Sequence, residues 1–290
     1  MRFAAGRLAL LFAAMIVAGA GLSPARAERQ SAPHRVVSMN LCTDQLALLV
    51  AARGQLVSLS VVSHDPHTSM LADAARRYPA NNGFAEEIFV MRPDLVVTGT
   101  FTRAASTALL RRLGYRVEVF QPAASFADIR ANLARMGRLL GQSARTAALL
   151  AAFDAERARL AAAPRSGLVA ALYEANSFTS GRGTLAAEIV RLAGLGNLAD
   201  RLGLSGSARL PLELLVLGKP DIVVRERPRH RAAALAREVL RHPALTKATR
   251  RAKATAASDP AWICGLPFAL GAVRRLAKAA GVTETGDPRR

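Results

Sequence analysis

Short runs of β-branched and apolar residues alternate with longer stretches rich in Ala, Leu and Arg along the first half of the chain. The stretches between the runs place apolar residues at helical spacing. Strands that alternate with helices pair in parallel through crossover connections, so this half predicts an α/β lobe over residues 28–125. The predicted strands lie near 35–39, 56–61, 94–98 and 116–120, and the predicted helices near 43–52, 68–77, 85–91 and 103–113.

From Phe126 to Ala163 the alternation stops, and the pattern is helical almost throughout. Ser125 is expected to cap this segment, and Asp128, three residues later, takes the place of the glutamate in a capping box. Gly141 interrupts the segment. A connection between a strand and a helix does not need so many residues. We therefore expect residues 126–165 to be a helical linker that includes a long backbone helix between two lobes.

After Pro164 the alternation resumes and predicts a second α/β lobe over residues 166–290. Its strands are expected near 168–173, 221–225 and 253–257, and its helices near 184–194, 211–218, 231–240 and 267–280.

The two halves contain a similar unit. The first has AEEIFVMRPDLVV over residues 85–97, and the second has LELLVLGKPDIVV over residues 212–224. In each, a glutamate precedes a Pro-Asp pair, and the pair leads into a β-branched run. The unit predicts a helix, a tight turn and a strand, used once in each lobe.

The N-terminal residues have the pattern of a cleavable signal peptide over residues 1–27. Arg2 and Arg7 precede an apolar run from 8 to 22, and Ala25-Arg26-Ala27 has the small-x-small form of a cleavage site. An uncleaved anchor is the alternative. No cysteine lies at the cleavage site, so we expect no lipid anchor and a mature chain outside the cytoplasm.

The net charge of +19 is carried mostly by arginine, and the mature chain would keep +16 after loss of the three arginines in the signal segment. A nucleic-acid surface is one interpretation of such a charge. Aromatic residues make up only 5% of the chain and do not interleave with the basic run over 225–241. The pattern therefore favours solvated arginines and no nucleic-acid partner.

The segments RVVSMNLCTDQLALL, RPDLVVTG and YEANSFTSGRGTLAAEIV, together with the export signal and the repeated unit, resemble periplasmic binding proteins of ABC importers. The resemblance is strongest to the branch that binds cobalamin, ferric siderophores and haem. It implies two Rossmann-like lobes with a central cleft, joined by a long backbone α-helix that permits little hinge motion. It also implies a monomeric periplasmic carrier with no catalytic activity and no intrinsic cofactor.

By this resemblance, the ligand is a cobalt- or iron-containing chelate such as a corrinoid or ferric siderophore. An inner-membrane permease with its cytoplasmic ATPase is the implied partner. Haem and a free metal ion are alternatives within the same superfamily. An exported α/β enzyme is the alternative from a different class.

The ligand is expected at the carboxyl ends of the strands, where parallel sheets bind their ligands. The loops there contain, in the first lobe, Asn40, Cys42, His64, Asp65, Phe101 and Thr102, and in the second, Tyr173, Asn176, Phe178, Arg182, Glu226, Trp262 and Cys264. Tyr173 and Trp262 suit a large flat ligand because their rings offer contact area and one polar group. Tyr173 also leaves open an axial ligand for haem.

Two further patterns support the alternatives. His64 and His67 flank Asp65 in HDPH and suggest a metal ion, but too few other ligands accompany them for a closed site, so we expect no direct metal site. The loop GRGTLA over 181–186 matches a dinucleotide fingerprint, although it does not directly follow its strand. A glycine turn that opens a helix at Thr184 is the simpler interpretation.

The two cysteines of the chain, Cys42 and Cys264, each follow a predicted strand, one in each lobe. A disulfide between them is one possibility, as expected for an exported chain. A thiolate that contacts the ligand is a second, since a helix N-terminus lowers the pKa of a thiol. Two inert buried thiols are the third.

The resemblance further implies that each lobe presents one glutamate to arginines of the permease. Glu86 and Glu213 match that pattern, and the neighbouring Glu87 leaves the first assignment open by one position. The alternative is that both glutamates only stabilise the first turn of their helices.

Overall fold

The computed structural model describes residues 31–225, 235–252 and 254–282. The expected signal peptide and Glu226 lie outside these residues. No helix in the described ranges combines the length and the apolar character that a membrane span requires.

The N-terminal lobe is a five-stranded parallel sheet in the order β3-β2-β1-β4-β5. Its strands are β1 (Val36–Ser38), β2 (Leu56–Ser60), β3 (Ala80–Asn81), β4 (Leu95–Gly99) and β5 (Val117–Phe120). Its helices are α1 (Leu41–Val50), α2 (Ala72–Ala75), α3 (Ala85–Val90) and α4 (Ala104–Arg112). The four predicted strands are confirmed, whereas β3 was not predicted and α2 is shorter than expected.

The central strands of this lobe are buried on both faces. Val36 and Val97 pack against α1, while Val37 and Val96 pack on the opposite face with Ile88 of α3. Because neighbouring side chains point to opposite faces, a strand covered on both sides needs an unbroken apolar run. This explains why the strands appear in the sequence as continuous Val and Leu runs.

The linker forms two helices, α5 (Phe126–Leu139) and α6 (Ser143–Ala161). They pack against each other in antiparallel directions: the Phe126 and Phe153 rings lie 6.4 Å apart, and Arg130 pairs with Asp154 at 2.9 Å. The helical link with its interruption at Gly141 is confirmed; it forms a hairpin whose second helix, α6, has 19 residues. Gly141, with φ of +68°, takes the left-handed conformation that lets the chain reverse there.

The hairpin contributes to the cores of both lobes. Phe126 and Ile129, at the start of α5, belong to the C-terminal core, whereas Leu133 and Met136, one to two turns later, belong to the N-terminal core. One helix thus crosses from one core to the other, and a hinge between the lobes would have to bend or shift it.

The C-terminal lobe has a four-stranded parallel sheet in the order β11-β10-β6-β8, and a small antiparallel pair, β7 with β9. The strands are β6 (Val169–Tyr173), β7 (Phe178–Ser180), β8 (Gly196–Asn197), β9 (Ser207–Arg209), β10 (Ile222–Arg225) and β11 (Ala254–Ala257). The helices are α7 (Leu185–Leu192), α8 (Leu198–Arg201), α9 (Leu212–Gly218), α10 (Pro243–Arg251) and α11 (Ala269–Ala279). The two-lobed α/β class is confirmed.

Short 3₁₀ turns occupy 61–64, 175–177, 235–241 and 260–262. The described part of the predicted helix 231–240 is therefore 3₁₀, and α10 was not predicted. The domain boundaries at residues 125 and 165 stay predictions.

The repeated unit has the same structure in both lobes. In α3 and α9, equivalent positions have the same environment: an exposed glutamate, a fully buried aliphatic residue two positions later, and an exposed aliphatic residue two positions after that. The equivalent pairs are Glu86 and Glu213, Ile88 and Leu215 (both 0% exposed), and Val90 and Leu217 (77% and 72% exposed).

The Pro-Asp pair of the unit secures the first strand of each lobe. Asp94 accepts hydrogen bonds from the backbone N–H groups of His34 and Arg35, at 2.6 and 3.0 Å, just before β1. Asp221 accepts from the N–H of Val169 at 3.0 Å, at the start of β6. Each carboxylate satisfies an N–H at the end of a sheet, which the ladder itself leaves without an acceptor. The repeat therefore has a structural role as well as any functional one.

Candidate functional site

A cavity of about 250 Å³ lies at the carboxyl ends of β1, β4 and β5. The loops that follow these strands form most of its wall, including Asn40, Phe101 and Gln121. The other side is formed by Ile263, Gly265 and Leu266, which we call the wall segment (residues 263–266). The wall segment belongs to the second half of the chain but packs into the N-terminal core, so the cavity lies at the strand ends of the N-terminal lobe, where the topology of parallel sheets predicts a ligand.

The polar groups around the cavity are neutral. They are the side chains of Asn40, Thr43, Thr100, Gln121 and Asn132, and no charged side chain in the described part of the chain lines it. Thr100 Oγ1 donates to Gln121 Oε1 at 2.9 Å, and Asn132 Nδ2 donates to the Gln121 carbonyl at 3.1 Å. The site thus offers amide and hydroxyl groups on an otherwise apolar surface.

Asn40 is fixed at the entrance of α1. It caps the helix, and its side-chain oxygen accepts a hydrogen bond from the N–H of Cys42 at 3.0 Å. Gly99 lies so close that a side chain there would come within 3.0 Å of the Asn40 amide. The glycine at the end of β4 therefore leaves the space that the asparagine occupies.

Cys42 and Cys264 form a disulfide, with Cα atoms 5.2 Å apart across 222 positions of sequence. The first of the three alternatives for these cysteines is therefore confirmed, and the free-thiolate and free-thiol alternatives are wrong. Cys42 lines the cavity, whereas Cys264 is 1% exposed in the N-terminal core. The bond fastens the wall segment to the first turn of α1.

Of the predicted ligand residues, the structure brings Asn40, Cys42 and Phe101 together in the cavity wall. Phe101 is 87% exposed, which leaves its ring free to contact a ligand. Trp262 lies just before the wall segment and is half-buried against the C-terminal core, without lining the cavity. The first three residues lie at strand ends, where the site was expected, whereas the ligand contact expected of Trp262 is not placed at this cavity.

Tyr173 cannot contact a ligand in this structure. It is fully buried with Leu198, Leu210 and Leu215, and its hydroxyl bonds to Ser177 Oγ at 3.0 Å. Burial raises the pKa of this phenol, and nearby Glu213 adds to the rise, while the bond to Ser177 opposes it. The expectation for Tyr173 is corrected because β6 is covered on both faces, so its last residue still points into a core.

Asn176, Phe178 and Arg182 lie at the β7–β9 ribbon and not at the cavity. Asn176 and Arg182 are exposed, and the guanidinium of Arg209 lies 5.6 Å from the centre of the Phe178 ring. The cavity described here therefore does not include them.

The GRG loop packs against protein backbone. A side chain at Gly181 would overlap the Leu204 carbonyl, and Thr184 caps α7 by accepting from the N–H of Ala187 at 3.2 Å. The simpler interpretation of this motif, a glycine turn that opens a helix at Thr184, is confirmed. The strand that directly precedes the loop, β7, belongs to the antiparallel pair and not to a parallel sheet, which the dinucleotide fingerprint requires.

His64 does not line the cavity. It ends a 3₁₀ turn, and its carbonyl accepts from Arg76 Nε at 3.0 Å. Asp65 Oδ1 accepts from the N–H of His67 at 2.8 Å, so the HDPH segment forms a local turn. Within the described ranges, no group of three or more His, Cys, Asp or Glu side chains could hold a metal ion.

Several cavity residues were not predicted: Thr43, Thr100, Gln121 and Asn132 among the polar ones, and Phe120 and Leu266 among the apolar ones. Gln121 directly follows the predicted strand near 116–120, so the rule about strand ends points to it. Asn132 lies within α5, and no sequence pattern marks a helical residue that reaches the cavity.

The structure distinguishes Glu86 from Glu87. Glu87 accepts from the side chain and backbone of Asn82, at 2.9 and 2.7 Å, and these bonds hold its pKa below the usual range. Glu86 is exposed on α3, and Glu213 occupies the equivalent exposed position on α9. Glu86 is therefore the carboxylate of the pair that is available to a partner.

Asp44, in the first turn of α1, is a buried acid that does not line the cavity. It is 0% exposed, and one carboxylate oxygen accepts from both the backbone N–H and the hydroxyl of Ser60. Burial raises the pKa of Asp44 to about 7, against the lowering effect of the neighbouring serines. Below about pH 7 the folded protein therefore favours the protonated acid.

We expect the stability of the protein to fall as the pH rises from about 4 to about 7. The folded pKa of Asp44 is raised, so the folded state binds more protons than the unfolded state across that window. Asp44→Asn removes this titration and should flatten the dependence, with a gain over the wild type of a few kcal/mol at pH 8, at about 1.4 kcal/mol per pKa unit. Urea unfolding of both proteins at pH 5 and pH 8 measures the free energy of unfolding. If that free energy changed equally between the two pH values in the wild type and in Asp44→Asn, the raised pKa of Asp44 would be contradicted.

Comparison with known proteins agrees with the fold described above. A family model for periplasmic binding proteins matches residues 36–255. A cobalamin-binding protein of Halobacterium salinarum is 28% identical over 200 residues, which cover 67% of this chain and 54% of the relative. The matched stretch thus spans about half the length of the curated relatives.

Solved structures share the fold at low identity. A periplasmic haem-binding protein from Pseudomonas aeruginosa has a TM-score of 0.69 at 21% identity, covering 88% of this chain and 96% of its own. The periplasmic vitamin B12-binding protein BtuF of Vibrio cholerae has a TM-score of 0.62 at 16% identity, with 88% and 99% covered. With a family model that matches most of the chain, including β1, β4, β6 and β10, the chain belongs to the periplasmic binding protein family.

Proposed function

We propose that this protein is the substrate-binding component of an ABC importer for a metal chelate. It would bind a corrinoid or a ferric siderophore between its lobes and deliver it to an inner-membrane permease, with no catalytic turnover. The family membership and the cobalamin-binding relative support the class of function. A cleaved signal peptide, a periplasmic location without a lipid anchor and a monomeric state belong to the same proposal.

The neutral lining of the cavity is the observation that carries the ligand class. A chelate brings a metal whose coordination sphere is already filled, so the carrier needs shape and hydrogen bonds and not metal ligands. Corrinoids carry carboxamides around their ring, and the amides of Asn40, Gln121 and Asn132 can both donate to and accept from such groups. A strongly anionic ligand would meet no positive side chain in the described wall.

The size of the cavity indicates how such a ligand would lie. Pockets for drug-sized ligands measure about 300–1,000 Å³, and this one is about 250 Å³. A corrinoid would therefore insert one edge and extend past the exposed ring of Phe101, which offers a flat contact surface.

Titration calorimetry with cyanocobalamin, dicyanocobinamide, haemin and ferrichrome tests this proposal. We expect submicromolar binding of a corrinoid and weaker binding of haemin, because no Tyr or His side chain lines the described cavity as an axial ligand. Tight binding of haemin alone would shift the assignment to haem, and tight binding of zinc alone would contradict a chelate.

Phe101→Ala should weaken corrinoid binding about ten-fold, equivalent to about 1.4 kcal/mol of lost ring contact. Phe89→Ala is the matched control, since Phe89 is also an exposed phenylalanine, at 51%, but lies on α3 away from the cavity. Equal affinities of the two variants would remove Phe101 from the site.

We also propose that Glu86 and Glu213 dock the two lobes onto the permease. Their equivalent positions, exposure and nearby exposed aliphatic residues, Val90 and Leu217, support this role. On a chain of net charge +19, these carboxylates are local acidic points that arginines of a partner can pair with in bidentate geometry.

A further inference from the structure

The wall segment lies at the crossing point between the lobes. Trp262, immediately before it, packs against the C-terminal core, whereas Cys264 and Leu266 are buried in the N-terminal core beside α1 and β4. Within five residues the chain therefore passes from one core to the other, and it forms the side of the cavity as it does so.

Besides the burial of Leu266, two contacts hold the wall segment against the N-terminal lobe. Cys264 is bonded to Cys42 at the start of α1, with 5.2 Å between the Cα atoms. Gly265 lies against Ala123, so closely that a side chain on the glycine would overlap the alanine methyl group. The segment cannot move far from α1 unless the disulfide breaks.

The two sulfurs differ in their access to solvent. Cys42 is half-buried and lines the cavity, whereas Cys264 is 1% exposed among apolar side chains. A thiol reductant that reached Cys42 would have to expel Cys264 as a thiolate inside an apolar core, and burial disfavours that charged leaving group. The bond is therefore suited to a permanent link and not to a reversible switch.

We propose that the Cys42–Cys264 disulfide is a positioning element of the ligand cavity: it keeps the wall segment in place in the empty protein, so the cavity exists before the ligand arrives. A preformed site avoids the cost of ordering a loop when the ligand binds. The consequence for a chelate rests on the proposed function, whereas the placement of the wall segment does not.

Hydrogen exchange and fluorescence of the ligand-free protein test the placement. Trp262 is the only tryptophan of the chain and lies two positions before Cys264, so it reports on this segment alone. In Cys42→Ser/Cys264→Ser we expect amides 263–266 to exchange about ten-fold faster than in a variant whose global stability is lowered equally, and Trp262 to become more accessible to acrylamide than in that variant. Equal exchange of amides 263–266 in the two variants would overturn the proposal.

A control separates local positioning from general loss of stability. Ile189→Ala removes a fully buried side chain of α7 that does not line the cavity, so it weakens the fold while leaving the disulfide intact. It should leave exchange of the wall segment as in the wild type. If the serine variant does not fold, Cys42→Ala/Cys264→Ala, which places no hydroxyl in the apolar core, provides the same comparison.

Cyanocobalamin binding tests the functional consequence. We expect about ten-fold weaker binding by the Cys42→Ser/Cys264→Ser variant and unchanged binding by Ile189→Ala. Equal affinity of the serine variant and the wild type would overturn the role in binding. If the wild type bound none of the chelates, the proposed function would fail, and the exchange result would still decide whether the disulfide positions the wall segment.

Discussion

Removal of the Cys42–Cys264 disulfide should lower the free energy of unfolding by about 3–5 kcal/mol. The bond links residues 222 positions apart and so closes most of the described chain into one loop. In the chain-entropy model, the stabilisation grows with the logarithm of loop length, and a loop of this size lies near the top of the usual range. The unfolded chain retains some compactness, which accounts for the lower bound.

Guanidinium unfolding of the wild type and of Cys42→Ser/Cys264→Ser, without reductant, measures this effect. The wild type unfolded in the presence of reductant should match the serine variant, because both lack the cross-link. A single substitution, Cys42→Ser, should lose the same stability and leave one free thiol, that of the buried Cys264. A difference of less than about 1 kcal/mol between the cross-linked and open proteins would contradict the prediction.

The strands were predictable because burial on both faces requires apolar side chains at consecutive positions, and such a run is visible in the sequence. A strand covered on both faces, such as Val36-Val37 of β1 or Leu95-Val96-Val97 of β4, must be apolar at every position. The Pro-Asp units were predictable for a similar reason, since a proline and a buried strand mark the joint in both lobes. Strands β7 and β9, which pair with each other, have three residues each and no such apolar run, and they were not predicted.

The hairpin could not be predicted from the local spacing of apolar residues. Apolar residues at helical spacing predict helix on both sides of Gly141, but they do not tell whether the chain continues or reverses there. The reversal is decided by contacts between distant residues, such as those of the buried Phe126 and Phe153 rings, whose centres lie 6.4 Å apart. A helix of 19 residues, α6, remains as the longest part of the expected backbone helix among the described elements.

The location of the candidate site at strand ends was predicted better than the individual residues that form it. The rule that ligands bind at strand ends placed Asn40, Cys42 and Phe101 correctly in the cavity wall. It failed for Tyr173, since a residue at a strand end can still alternate into a core, as this one does with Val169 and Ala171. Cys42 and Cys264 could not be paired from the sequence, because pairing depends on a 5.2 Å separation that only the folded lobes create.

The docking role of the two exposed glutamates predicts a transport defect without a binding defect. Glu86→Arg/Glu213→Arg replaces two carboxylates by cations at equivalent points of α3 and α9, where partner arginines would then be repelled. Removal of one member of a desolvated charge pair costs about 2–5 kcal/mol, so two reversals should weaken docking by at least about 100-fold. Neither residue lines the cavity, and affinity for the chelate should stay within about two-fold.

Uptake of labelled cyanocobalamin into proteoliposomes that contain the cognate permease and ATPase measures the defect. Asp73→Arg/Glu238→Arg is the matched control. It changes the net charge by the same amount, with one exposed acid in each lobe, and within the described residues these acids form exposed ion pairs with Arg76 and Arg241. Such pairs contribute little to stability. We expect uptake by the control to be near the wild-type rate and uptake by the glutamate variant to be lost; wild-type uptake by a folded, chelate-binding glutamate variant would show that these carboxylates serve only their helices.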